Sequence, residues 1–130
     1  MKGYVDVYAL PIAKRDLTAY KRIARRWGDI MRDYGILEYR EFAQDDPKSK
    51  FGARFKLRPG EVMITSVVGF RSKAHRDQVN KRAMKDPRMQ AMISEPMPFD
   101  MKRIVMGGFK TIVEGKPKVR SRRRGGATSR

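Results

Sequence analysis

Two segments that are apolar on both faces constrain the fold of this chain more than any other feature. From Gly3 to Ile12, Val5, Val7 and Ala9 alternate with Tyr4, Tyr8 and Leu10. From Glu61 to Arg71, Val62, Ile64, Val68 and Phe70 alternate with Met63, Thr65 and Val67. Period-two alternation marks strands, and a strand apolar on both faces has to be covered on both sides. Asp6 interrupts the first pattern, which predicts a cationic partner or a place at the sheet's edge.

Between these strands lies the strongest helical signal. Leu17, Tyr20, Ile23, Ala24, Trp27, Ile30, Met31 and Tyr34 recur at spacings of three and four, so one stripe faces the core. Asp16 is a candidate cap and Gly35 a left-handed stop. The opposite face carries Arg22, Arg25 and Arg26. Ile36 to Ala43 reads as a charged edge strand with Leu37 and Tyr39 inward and Glu38 and Arg40 outward. Phe51 to Leu57 reads as a short extended arm. The stretch SKAHRDQVNKRAMKDPR, Ser72 to Arg88, predicts a helix capped by Ser72 and stopped at Asp86-Pro87. His75, Val79 and Ala83 share its inner face. A short helical piece, Arg88 to Ile93, follows, then the stiff connector PMPFD. The last strand, Arg103 to Glu114, contains Gly107-Gly108, which suggests a bulge or a close backbone approach.

The order is β-α-β-β-α-β, which predicts an α+β, ferredoxin-like antiparallel sheet with two helices on one face. Residues 1–115 form that domain. The other sheet face needs a cover, and a second copy of the chain is the economical one, so a homodimer is expected.

The chain of 130 residues has a formal net charge of +17 and no cysteine. Disulfides and thiol chemistry are therefore excluded, and a single histidine excludes a His-rich metal site. No metal or other cofactor is expected. Residues 116–130 carry seven Lys/Arg and no acid, which predicts a basic disordered tail. That tail, with Arg122, Arg123 and Arg124, and the helix face of Arg22, Arg25 and Arg26 suit non-specific binding of nucleic-acid phosphates. No apolar run approaches the ~18 residues of a membrane span. The N-terminus lacks a signal-peptide core, and a cytoplasmic protein is the default expectation.

The segments YVDVYALPI, SKAHRDQVNKRAMKDPRM, MPFD and MGGFK resemble, in that order, the YbaA-like family of uncharacterised bacterial proteins, which carry domain of unknown function 1428. The resemblance spans Tyr4 to Val113. It implies the dimeric α+β-barrel superfamily, in which two ferredoxin-like sheets pack face to face. Members of that superfamily include cofactor-free monooxygenases, haem-handling enzymes, isomerases and stress-response proteins, so fold kinship leaves the chemistry open.

The resemblance also implies a pocket between sheet and helices in each subunit. Tyr4, Tyr8 and Trp27 are the candidate residues for binding a small molecule there. His75 and Asp6 are the candidate catalytic pair, with a neutral imidazole taking a proton and Asp6 orienting it. The alternative is structural: His75 bonds backbone, and Asp6 pairs with an arginine such as Arg76 or Arg103. Two functions follow as expectations. One is a small-molecule-binding protein or cofactor-free enzyme, monooxygenase- or isomerase-like. The other is a protein that binds RNA or DNA phosphates through its basic surface and tail.

Overall fold

The computed structural model describes residues 3–46 and 48–116. Four strands form one antiparallel sheet in the order β2-β3-β1-β4. They are β1 (Tyr4–Ala13), β2 (Glu38–Ala43), β3 (Glu61–Phe70) and β4 (Val105–Lys110). The two strands expected to be covered on both sides are the two inner ones, β1 and β3, paired along their full length from Tyr4↔Phe70 to Ala13↔Glu61. The helices are α1 (Leu17–Asp33), α2 (Phe51–Arg54), α3 (Lys73–Ala83) and α4 (Pro87–Ile93). This is the ferredoxin-like α+β fold.

One face of the sheet carries the core. Tyr8 and Leu10 of β1 and Ile64 and Val68 of β3 pack beneath α1, α3 and α4, with Ile30, Met31, Val79, Ala83, Met89 and Met92 above them. The α3–α4 corner is tied to the end of α1 by charge. Asp86 accepts from the Arg88 backbone N–H at 2.7 Å, and the Tyr34 hydroxyl donates to it at 2.7 Å. The Arg88 guanidinium spans Asp86 at 2.9 Å and Asp33 at 3.0 Å. Arg88 and Tyr34 together hold the Asp86 carboxyl well below the usual carboxylate range. The Asp-Pro pair thus stops α3 and caps α4 in one step.

Several boundaries differ from the sequence expectation, each for a local reason. β1 runs through Pro11 to Ala13. It pairs with β4 only from Tyr4 to Ala9, so beyond Ala9 that edge is open and Pro11 need not donate there. Residues 51–54 form one helical turn instead of an extended arm. The Ser49 hydroxyl accepts from Phe51 N–H at 3.2 Å, and the rings of Phe51 and Phe55 stack at 5.4 Å. Asp16 makes no side-chain cap; a 3-10 turn, Lys14–Asp16, feeds α1 instead. Leu37 is exposed and lies before β2, not inward on it. β4 starts late because Asp100 accepts from Lys102 N–H at 2.9 Å and winds Met101–Arg103 into a 3-10 turn. In β4, Gly108 does mark a close approach, since a Cβ there would strike the Tyr4 hydroxyl.

The basic tail expected over residues 116–130 lies, apart from Lys116, outside the described residues, as do Arg122, Arg123 and Arg124. Among the described residues, no helix is long and apolar enough to cross a membrane.

Candidate functional site

A cavity of about 240 Å³ lies between the sheet and the helices. Its floor is set by strand register. Glu41 of β2 stands opposite Ser66 of β3, and Ser66 stands opposite Tyr8 of β1. Three polar side chains therefore run in one row across the floor of an otherwise apolar chamber. Tyr20, Ala24 and Trp27 of α1 form the roof, and Met89 and Met92 of α4 with Met97 and Phe99 of the connector close the far side. The space exists because Ser66 and Ala24 are small where larger side chains would fill a core.

The aromatic walls brace one another. Trp27 meets Tyr39 edge to face at 5.0 Å and Tyr8 at 6.4 Å; Tyr20 meets Phe99 at 5.6 Å. Two tyrosines converge on one carboxylate: the Tyr20 hydroxyl donates to Glu41 Oε1 at 2.8 Å, and the Tyr39 hydroxyl donates to Glu41 Oε2. Burial pushes the Glu41 carboxyl above its ordinary range, while the two hydroxyls pull it back. Burial and the Glu41 charge push both tyrosines up. Tyr8 is pushed up to about 12, chiefly by burial, so it stays a neutral donor. Behind this wall, on its solvent side, a groove is lined by Lys21, Arg25, Asp29 and Arg32. It shares Tyr20, Ala24, Tyr39 and Glu41 with the cavity.

Of the expected ligand-contacting residues, Tyr8 and Trp27 line the cavity and Tyr4 does not. Tyr4 lies under the Arg76 guanidinium, which stands 5.0 Å above its ring. The expected catalytic pair is not assembled at the cavity, since neither His75 nor Asp6 is among its lining residues. The structural alternative describes them better. Asp6 is 1% exposed and binds Arg76 Nη1 at 2.6 Å, one of the two arginines named from the sequence. Burial raises the Asp6 carboxyl's affinity for a proton, and Arg76 opposes it. His75 sits in the first turn of α3 with its ring edge-on to Phe70 at 5.9 Å. Its Nδ1 accepts from the Arg71 backbone N–H at 3.0 Å, so backbone does hold it, through a donor and not a carbonyl. Arg22 and Arg25 are exposed on α1, and Arg26 pairs with Glu95 at 3.3 Å.

The His75 contact has a pH consequence. A ring protonated on Nδ1 cannot accept from Arg71, and burial lowers its pKa below 6.5. The unfolded chain then binds the proton more readily, so stability falls as pH drops from 6.5 toward the folded value. His75→Gln keeps an acceptor but cannot titrate. Urea midpoints measured between about pH 7.5 and about pH 5 should fall less for this variant than for the wild type. Equal slopes would remove His75 as the titrating group.

Glu41 and Ser66 were missed as site residues, although the signal was there. Alternation puts Glu41 on the Tyr39 side of its strand, and Ser66 interrupts the apolar face running from Ile64 to Val68. A lone polar residue on an inward face is the mark of a lined cavity or a buried pair.

Topology and cavity together define a ferredoxin-like α+β protein with an apolar chamber under its helices. Solved structures agree on the fold. A NIPSNAP-like domain protein from Burkholderia xenovorans superposes with a TM-score of 0.59 at 12% identity, covering 88% of this chain and 90% of that one. A dimeric ferredoxin-like protein from an uncultured marine organism gives 0.55 at 9% identity, covering 88% of this chain and 100% of that one. In sequence, residues 3–101 match the family model described as protein of unknown function (DUF1428). The chain is 37% identical over 117 residues to the uncharacterized protein YbaA of Escherichia coli strain K12, covering 85% of this chain and 97% of YbaA. The chain belongs to the DUF1428 family, as its motifs suggested. Among the described residues, no group of three His, Asp or Glu side chains is placed to hold a metal ion.

Proposed function

We propose that this protein binds a small, mostly apolar molecule in the chamber between sheet and helices, without a cofactor, and works as a homodimer. The observation that carries the binding reading is the chamber itself: about 240 Å³, with apolar walls and the Glu41–Ser66–Tyr8 row as its polar floor. An apolar cavity of ~150 Å³ is enough to hold benzene. A one-ring compound with a short substituent therefore fits. Sites that bind small molecules have this composition, many apolar contacts and a few placed polar groups.

The dimer reading rests on the opposite sheet face. There Val5, Val7 and Val67 are only half-buried, and Phe42, Val105 and Phe109 are exposed. A second sheet laid on this face would bury that area, and one solved protein of the same fold is a dimeric ferredoxin-like protein.

The test is a thermal-shift and ligand-observed NMR screen of one-ring aromatic and short aliphatic compounds. A binder at a hundred times its Kd stabilises by about 2.7 kcal/mol, which the melting temperature reports. Binding to the wild type that disappears in Gly28→Val, a variant that displaces Tyr39, supports the chamber as the site. A screen without a single binder would refute the reading.

A further inference from the structure

The polar row across the chamber floor assigns a chemistry as well as a place. Glu41 is a carboxylate facing an apolar space, with both oxygens oriented by tyrosine hydroxyls. Tyr8, two strands away in the same row, has no hydrogen-bond partner of its own among the described residues and is free to donate. Strands lie ~4.8 Å apart, so the Glu41 and Tyr8 backbones stand roughly 10 Å apart, with both side chains reaching inward. That gap accommodates an O=C–C–H unit, with its oxygen toward Tyr8 and its C–H toward Glu41. No cationic side chain lines the chamber, and Glu41 itself repels an anion, so the unit belongs to a neutral molecule.

We propose that the site enolises small neutral ketones or aldehydes, with Glu41 as the base and Tyr8, helped by Ser66, as the donor to the carbonyl oxygen. The proposal rests on the binding reading above and names its substrate class. The Glu41 carboxylate removes the proton from the carbon next to the carbonyl. The C–H electron pair becomes the C=C bond, and the C=O π pair moves to oxygen, where the Tyr8 hydroxyl stabilises it. Glu41 then returns the proton to the same carbon, giving exchange, or to a conjugated carbon, giving an isomer. No electron is gained or lost, and no co-reactant is consumed. The solvent groove behind Glu41 lets its proton exchange with water between turnovers. Burial of Glu41 strengthens it as a base, and the high pKa of Tyr8 keeps its proton in place at neutral pH.

Phenylacetone and cyclohexanone are suitable probes. Their binding is read by saturation-transfer NMR, and loss of their α-proton signals in D2O reads the chemistry. Exchange with the full chain should exceed the buffer rate. Glu41→Gln should reduce the enzymatic rate ~10²- to 10⁴-fold while the ketone still binds. Tyr8→Phe, which leaves the Glu41 triad intact, should reduce it by roughly 10²-fold. Because the two variants alter different strands, a folding defect in one leaves the other to decide. A bound ketone that exchanges no faster than in buffer overturns the proposal but leaves the binding reading standing. So does a rate that survives both substitutions, or a chamber that binds hydrocarbons but no ketone. The binding reading falls on different results: no binder of any class in the earlier screen, or a ligand shift that Gly28→Val leaves unchanged.

Discussion

Arg76→Ala is expected to cost about 3–5 kcal/mol, the usual penalty for orphaning a buried charge. Asp6 is 1% exposed in the middle of the sheet, and Arg76 Nη1 at 2.6 Å is the charge that compensates it. The same guanidinium also meets Asp77 at 2.7 Å through Nε and covers the Tyr4 ring. For a domain of this size, a loss of that order lowers the melting temperature by roughly 12–20 °C. The origin of the loss can be separated by pH. Without Arg76 only Asn80, the smaller influence, still offsets burial, so the Asp6 pKa rises further above 3.8. A group whose folded pKa is raised gains stability as pH falls through that value, so the deficit of the variant should shrink in acid. Adding Asp6→Asn should recover more than half of it at neutral pH. An Arg76→Ala protein within about 1 kcal/mol of wild type would mean that Asp6 is solvated after all.

Gly28→Val should both destabilise the protein and empty the chamber. Gly28 is buried in α1, and a Cβ placed there would stand 2.7 Å from two atoms of the Tyr39 ring. That ring has little room to retreat, with Trp27 on one side and its hydroxyl on Glu41. Overpacking of this kind costs ~1–3 kcal/mol, against a helix-propensity gain of a few tenths. The side chain that must move is the one that orients Glu41. Ligand-induced stabilisation should therefore vanish even at temperatures where the variant is folded, as seen by circular dichroism. A variant with an unchanged melting temperature and an unchanged ligand shift would place ligand binding elsewhere.

Much of the architecture was legible because it is written in local periodicity. The α1 stripe from Leu17 to Tyr34, the Ser72 cap and the Asp-Pro stop each need only a few neighbouring residues to read. The cap is present as expected, with Ser72 Oγ accepting from His75 N–H at 3.1 Å. The site was only half legible. Tyr8 and Trp27 stood out as inward aromatics, whereas His75 drew attention as the only histidine and turned out to be held against Phe70 and the Arg71 backbone, away from the chamber. Rarity of a residue type is not a physical cause of chemistry. A charged residue on an inward face is, because its burial must be compensated.

The sequence by itself determined that β1 and β3 are the inner strands, since only a doubly covered strand can be apolar on both faces. It also limited Asp6 to a cationic partner or an edge position, and put the helices on one side. Tertiary structure alone decided which partner Asp6 takes, because Arg76 is far along the chain and is brought over β1 only when α3 docks. It likewise decided that Glu41, Ser66 and Tyr8 form one row. Cross-strand register depends on how three distant segments pair, and no local pattern within any one of them contains it.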